Sequence, residues 1–482
     1  MKQRLSIIKI RLLANYQFIY FAILSIFFRL ITFSYDNDFW FSINQGRYIL
    51  NSGFPIKAIN SIHNFDFIYQ SWGTGTLFYI IHSNLGYIGI ISLLIIISLL
   101  TIYFFYKLCL TVSSNKKVSS RITFITMFLY IGFFLVTRPH IFTVLNLVIM
   151  LYLLESYFKT SNKKYLYFLP LISLLEINMH GIYFMVLLVI AIPYLINALL
   201  LKSRDKKGFK RPLFITYLIM IITGFINPYT YKTIIYGFNS YKSNSLFNNT
   251  ISELLSPSFH TLNGKIMIIS IILAFIIYFA NKNKKIPIRY YLLLFGTSYL
   301  AFDAIKSYYF FLVCSLFPIS YILKDIKWKH FIDKDYSKKY HYFHLTVTVI
   351  FIVLSLLLYR EPELPLVDDI VNYLDTIVDS KENIKVYTNF KDGSYLEYRG
   401  YNCYLDQREE IFLKENNHKE DIYQEYDNLI KGKLDYRVFL NKYNFDYLVI
   451  NKNDVIYYIL SNYGFENYKE VLETKDYLLL SN

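Results

Sequence analysis

Apolar residues in this chain come in unbroken runs, not in the alternation of half-buried strands or the one-faced stripe of surface helices. The runs fall near 17-34, 86-106, 122-137, 141-157, 165-177, 181-201, 213-226, 266-280, 290-304, 308-323 and 342-359. A bilayer core about 30 Å thick needs roughly 20 apolar helical residues per crossing, and these runs approach that length, several falling a few residues short. The pattern predicts a polytopic α-helical membrane domain over 1-360 with about 11 spans. The pairs 122-137/141-157 and 165-177/181-201 are short and tightly linked through Arg138-Pro139-His140 and Asn178-Met179-His180. Either pair read as re-entrant changes the count and leaves everything downstream on the same side.

Two stretches between the runs are long, 35-85 and 227-265. In the first, Phe39, Trp40, Ile43, Ile49 and Leu50 are spaced for one face of a helix that Gly53 stops, which predicts a helix lying at the membrane interface. Trp40 and Trp72 fit an aromatic belt there. From 361 to 482 the pattern changes. Helical stretches (Leu366 to Ile377, Ile411 to Leu429, Val455 to Tyr463) alternate with strand-like runs (Lys385 to Thr388, Asn402 to Leu405, Tyr447 to Ile450, Tyr477 to Leu480), predicting a small mixed α/β domain.

Charge supplies the orientation. With the N-terminus inside, the basic clusters Lys2 to Arg11, Lys116 to Arg121, Lys159 to Lys164, Lys202 to Arg211, Lys282 to Arg289 and Lys324 to Lys339 all fall on the inner side, and the outer loops carry only scattered cations. An odd number of spans then puts the C-terminal domain outside, as in a multi-pass protein of the bacterial cytoplasmic membrane. The formal charge of +15 in 482 residues divides unevenly, with 36 Lys+Arg against 11 Asp+Glu up to residue 360, and 14 against 24 after it. A basic membrane part with an acidic soluble tail follows the positive-inside rule and argues against a nucleic-acid partner. Cys109, Cys314 and Cys403 are too few and too scattered for a disulfide framework or zinc spacing.

Acidic residues are expensive near a membrane, so their short list is informative. On this topology Asp36, Asp38, Asp66, Glu176, Glu253 and Asp303 map to the outer face. Arg138, His140, Asn178, His180, the Asn227-Pro228-Tyr229 run and Lys306 join them there. Carboxylates, imidazoles and cations at the outer ends of different spans suit transfer of a group from a lipid-linked phosphate to a hydroxyl acceptor. A carboxylate would act as general base, and cations or a carboxylate-bound divalent metal would stabilise the departing phosphate. Asp36 and Asp38 are the candidates for base and helper or metal ligand. Arg138, His140, Asn178, His180, Glu253 and Lys306 are the candidates for phosphate or substrate binding. No phosphate-cradling glycine loop calls for a nucleotide.

The run Asp36-Asn37-Asp38-Phe39-Trp40-Phe41-Ser42-Ile43-Asn44-Gln45-Gly46, then Gly53 to Pro55, Asn60-Ser61 and Gln70 to Trp72, resembles the first outer loop of bacterial membrane proteins of the glycosyltransferase C superfamily. Arg138-Pro139-His140, Asn178 to Gly181, Asn227 to Tyr229 and Ser252-Glu253 follow in the order of that family's span-end motifs. Asp392 to Leu396, Leu405 to Arg408 and Asp446 to Leu448 resemble its extracytoplasmic domain. The resemblance implies an inverting transferase that moves a sugar from a polyprenyl-phosphate donor to a glycan, lipid or protein acceptor, with an acid at Asp36 or Asp38 as catalytic carboxylate. Ser42 stands where the pattern often has His, Asn60 where it has Asp, and Lys306 where it has Arg. The last offers a point charge in place of a bidentate fork. The rival reading is a transport or polymerisation component of surface polysaccharide assembly, which predicts polar residues near the bilayer midplane. Here they sit mostly at span ends.

Overall fold

The structure is a computed structural model, and it describes residues 17–31, 35–201, 208–242, 253–281, 284–325, most of 346–357, and 364–482. The chain divides into two compact units. One holds Met1–Phe33, Tyr87–Ile234 and Asn244–Glu361, the other Ser34–Gly86, Ile235–Ser243 and Pro362–Asn482.

The first unit is helical. Each apolar run up to 308-323 coincides with a helix, whereas the run 342-359, the basic start Met1 to Arg11 and Ser252 lie wholly or largely outside the described residues. Among the described residues five helices are long and apolar enough to cross a membrane: Trp72–Ser113, His140–Thr160, Gly181–Leu200, Leu262–Ala280 and Ile305–Ile322. Other runs form helices such as Gln17–Ile31, Leu169–Met179, Lys210–Thr223 and Ile288–Asp303. Enclosure differs sharply among the long ones. The apolar window of His140–Thr160 is 89% buried and that of Ile305–Ile322 83%, against 33% for Leu262–Ala280. The first two form the centre of the bundle and the last its rim. Caps fix several starts: Asn115 accepts from the Lys117 and Val118 amides at 3.1 and 3.2 Å, and Thr261 accepts from the Gly264 amide at 3.1 Å, each satisfying donors a helix start leaves orphaned. At Gly86 the helix Trp72–Ser113 breaks, with φ 59°, and the division between the units falls at the same residue.

The second unit is built on a five-stranded sheet of β1 (Lys385–Tyr387), β2 (Asn402–Cys403), β3 (Tyr447–Asn451), β4 (Lys469–Glu473) and β5 (Tyr477–Ser481). Their order is β2-β1-β3-β5-β4, with β2, β1 and β3 parallel and β5 antiparallel to both of its neighbours, β3 and β4. Strand β4 carries no signal in the sequence. As an edge strand its residues are exposed or half-buried, so it lacks an apolar stripe. The expected helix Ile411 to Leu429 is three pieces, the 3-10 turn Glu409–Phe412 and the helices Lys414–Asn417 and Ile422–Ile430. The last two are parted because His418 turns left-handed at φ 56° and Asp421 caps a new start at Ile422.

Ser34–Gly86 belongs to this unit for reasons visible in its hydrogen bonds. The Cys403 amide donates to the Asn60 carbonyl at 3.0 Å and the Ile62 amide to the Cys403 carbonyl at 3.1 Å, so residues 60–62 cover the free edge of β2. Phe65, Phe67 and Tyr69 enter the core beside Tyr404, Phe412 and Phe439. The expected helix forms over Asn37–Ser52 and ends at Gly53, φ 86°. The first half of its apolar face meets protein, with Phe39, Trp40 and Ile43 buried, whereas Leu50 is 51% exposed. Trp40 is 3% exposed and lies 4.9 Å from the Tyr395 ring and 5.1 Å from that of Tyr398, which makes it a core residue and corrects the belt expectation. Gly46 permits a close approach to Gly75, whose carbonyl oxygen lies 2.2 Å from where a Cβ would stand.

Candidate active site

Within the helical unit the predicted residues come together at one end of the helices. Arg138 precedes His140–Thr160, and its Nη1 donates to both Glu253 oxygens at 2.9 and 2.7 Å. The Lys306 amide donates to the Glu253 carbonyl at 3.0 Å, tying the start of Ile305–Ile322 to the same segment. His140 Nε2 lies 2.7 Å from the Phe134 carbonyl, with its ring stacked on Tyr309 at 5.7 Å. His180 stands within electrostatic reach of both His140 and Lys306. Among the described residues the Lys306 ammonium has no ion pair, so in this cluster it holds the charge that no carboxylate balances.

His180 is oriented by Thr143, Glu176 and Asn146, of which only Glu176 stands among the outer-face acids of the sequence. Its Nδ1 lies 2.8 Å from Thr143 Oγ1, Thr143 donates to Glu176 Oε1 at 2.6 Å, and Asn146 donates to Glu176 Oε2 at 2.8 Å. Glu176 is fully buried, as such a carboxylate must be hydrogen-bonded on both oxygens to be. His140, Thr143 and Asn146 are spaced i, i+3, i+6 in the otherwise apolar first half of the helix, a polar stripe that the sequence does display. Tyr183, 4.7 Å from His180, completes the wall. The Asn178 amide is spent on backbone: its Nδ2 donates to the Leu174 and Ile226 carbonyls at 2.9 and 3.0 Å.

Asp36 and Asp38 lie in the other unit. Asp36 is the N-cap of Asn37–Ser52, with Oδ1 accepting from the Phe39 amide at 3.1 Å, and Asp38 sits in the first turn, where the helix dipole favours negative charge. Tyr35 stacks on Phe39 at 4.1 Å, and His82 meets Tyr35, Phe39 and Trp40 edge-on. Asn60 Oδ1 accepts from Asn44 at 3.2 Å, and Arg47 Nη2 donates to Asn44 Oδ1 and to the Tyr398 carbonyl, both at 2.7 Å. Ser42 is buried at 3% exposure. Among the described residues no three His, Cys, Asp or Glu side chains gather as a metal-holding group. Asp36 and Asp38, the carboxylates put forward as metal ligands, do not form such a group by themselves.

The tail motifs are largely structural. Arg408, 1% exposed, donates from Nε to Asp406 at 2.9 and 3.0 Å and from Nη2 to Glu397 at 2.6 Å. Burial drives the Glu397 carboxyl well above its usual range. For Asp406 burial acts the same way, but the Arg408 guanidinium overrides it and holds the group low. Asp392 is lifted to about 6 by burial and accepts from the Tyr477 hydroxyl at 3.0 Å.

No protein-family profile and no curated protein matches the sequence. Solved structures do match. The apo oligosaccharyltransferase of Archaeoglobus fulgidus superposes with a TM-score of 0.54 at 12% identity over 94% of this chain and 72% of that one. Its complex with Zn and sulfate gives 0.54 at 12% over 97% and 73%. The arabinofuranosyltransferase AftD from Mycobacteria gives 0.52 at 9% over 98% of this chain, which spans 40% of that protein. The chain shares the fold of these transferases. Likeness at this identity speaks to the fold alone, so function is argued from the site.

Proposed function

We propose that this protein is a membrane glycosyltransferase that moves a sugar from a polyprenyl-phosphate donor to a hydroxyl acceptor at the outer face of the cytoplasmic membrane, with inversion. The acceptor oxygen attacks the anomeric carbon, the bond from that carbon to the phosphate oxygen breaks, and the acceptor proton passes to a carboxylate as polyprenyl phosphate departs. Asp36 is assigned as the base and Asp38 as its helper. Lys306 is the leading phosphate ligand, with Arg138, His140 and His180 beside it. Glu253 and Asn178 position: the first holds Arg138, the second ties the chain at Ile226. The observation that carries the reading is the gathering of Arg138, His140, His180 and Lys306 at one end of the bundle, where among the described residues no carboxylate pairs with the Lys306 charge, which suits a phosphate that gains charge as it leaves.

The cap at Asp36 makes one variant especially informative. Asn caps a helix as well as Asp does, so Asp36→Asn removes the base and keeps the helix start. Cells carrying Asp36→Asn should make the protein at wild-type levels and lose its glycan product, read by mass spectrometry of surface glycans. A full product level with this variant sinks the assignment.

A further inference from the structure

At the other end of two of these helices is a cleft of about 570 Å³ that the transfer chemistry does not use. Lys163 and Arg211 stand at it, Leu166 and Thr216 line it, and Ile215 and Ile219 form an apolar wall. Both cations are exposed, and among the described residues neither makes an ion pair. The wall is also exposed, Ile215 by 46% and Ile219 by 43%, with Tyr167 beside it at 72%. Cations over bare aliphatic surface are a poor match for water and a good one for an amphiphile.

The lengths of the helices point the same way. The pieces Lys164–Tyr167 and Leu169–Met179 together rise about 24 Å, and Lys210–Thr223, of 14 residues, about 21 Å. Both fall short of a hydrocarbon core of about 30 Å. One end of Leu169–Met179 is taken by Glu176 and His180, and the segment after Lys210–Thr223 is tied to Asn178 on that same side. The shortfall therefore lands at the cleft, where a short apolar helix draws lipid inward and basic flanking residues reach the headgroups. Lys163 and Arg211 also belong to two of the basic clusters that charge bias assigns to the inner side.

We propose that this cleft binds an anionic membrane lipid, with Lys163 and Arg211 meeting the headgroup phosphate and Leu166, Ile215 and Ile219 lying along an acyl chain. Basic pockets between transmembrane helices recognise lipid headgroups in this way. The proposal is independent of the transfer reaction. Its test is native mass spectrometry of the full-length protein with phosphatidylglycerol or phosphatidylcholine, together with labelling by a photoreactive phosphatidylglycerol and competition by inorganic phosphate. The wild-type protein should retain phosphatidylglycerol at least tenfold better than phosphatidylcholine, and the label should fall on residues 163–170 or 211–219. Lys163→Gln with Arg211→Gln should lose that preference, and Lys163→Arg with Arg211→Lys should keep it. Equal retention of the two lipids, a neutral pair that binds as wild type, or labelling elsewhere overturns the proposal. Complete displacement by millimolar inorganic phosphate overturns it in favour of a free-phosphate site. Labelling on the wild-type chain decides the matter even if the neutral pair fails to fold.

Discussion

Two arginine–carboxylate pairs in the helical unit have similar distances and opposite surroundings, Arg289 engaging Glu155 through Nε and Nη2 and Arg138 engaging Glu253 through Nη1 alone. Arg289 donates to the two Glu155 oxygens at 2.9 and 2.8 Å, and Arg138 to the two Glu253 oxygens at 2.9 and 2.7 Å. The first pair is sealed, its side chains 10% and 3% exposed, and the second is open at 30% and 49%. Glu155 also accepts from the Tyr194 and Tyr290 hydroxyls at 2.9 and 3.1 Å, while Arg289 lies over the Tyr290 and Phe158 rings at 4.5 and 4.7 Å. The two pairs mark opposite ends of the same helices. His140–Thr160 starts beside Arg138 and carries Glu155 near its finish, and Ile288–Asp303 starts with Arg289 and leads to Lys306. A carboxylate whose partners are complete and dry serves the bundle. One whose partner also faces water leaves a cation that a phosphate can claim.

The sealed pair offers the largest effect. Arg289→Met strands Glu155 in an apolar interior, and removing one member of a buried pair costs about 3–5 kcal/mol. Thermal unfolding of the purified protein should show a large fall, mostly recovered in the double variant Arg289→Met with Glu155→Leu, where no charge is left stranded. A single variant that melts like wild type would erase the distinction drawn between the two ends.

Next comes the uncompensated cation. Lys306→Gln removes a charge aimed at a developing anion, and losing one such contact lowers turnover by roughly a hundredfold. Release of polyprenyl phosphate should fall accordingly with the melting point unchanged. Lys306→Arg should restore most of the rate, since either side chain supplies the charge. Normal turnover in the Gln variant would remove Lys306 from the phosphate site.

The open end was largely legible in the sequence and the sealed end was not. Charge bias and the short list of acids picked out Arg138, His140, His180, Glu253 and Lys306, because a polar group at a span end stands out against 55% hydrophobic residues. Glu176 is on that list, but the sequence gives it no role. Its burial shows only once Thr143 and Asn146 are seen to satisfy it, which depends on the packing of Leu169–Met179 against His140–Thr160. Asp36 and Asp38 were legible as an acidic motif, but not the capping duty of Asp36. The grouping of Ser34–Gly86 with the C-terminal sheet was invisible, because backbone pairing at 60–62 leaves no hydropathy signal. Strand β4 escaped for the same reason that edge strands often do, since an exposed strand has no buried face to repeat.

The smallest expected effect is at the open pair, and it is the sharpest test of the comparison. Exposed pairs contribute about 0–1 kcal/mol, since water screens them and ordering two long side chains offsets much of the gain. Glu253→Gln should therefore leave the melting point within a degree or two of wild type, where the matching change at Glu155 should not. It should also release Arg138 from its carboxylate, so affinity for polyprenyl phosphate should rise a few-fold, more at low salt than at high salt because the freed charge is screened. Binding of polyprenyl phosphate to the full-length protein at two ionic strengths reads both effects. A melting point that drops as far as in Arg289→Met would make the pair a second clamp. Unchanged affinity would take Arg138 out of the phosphate site and leave Lys306 as its principal cation.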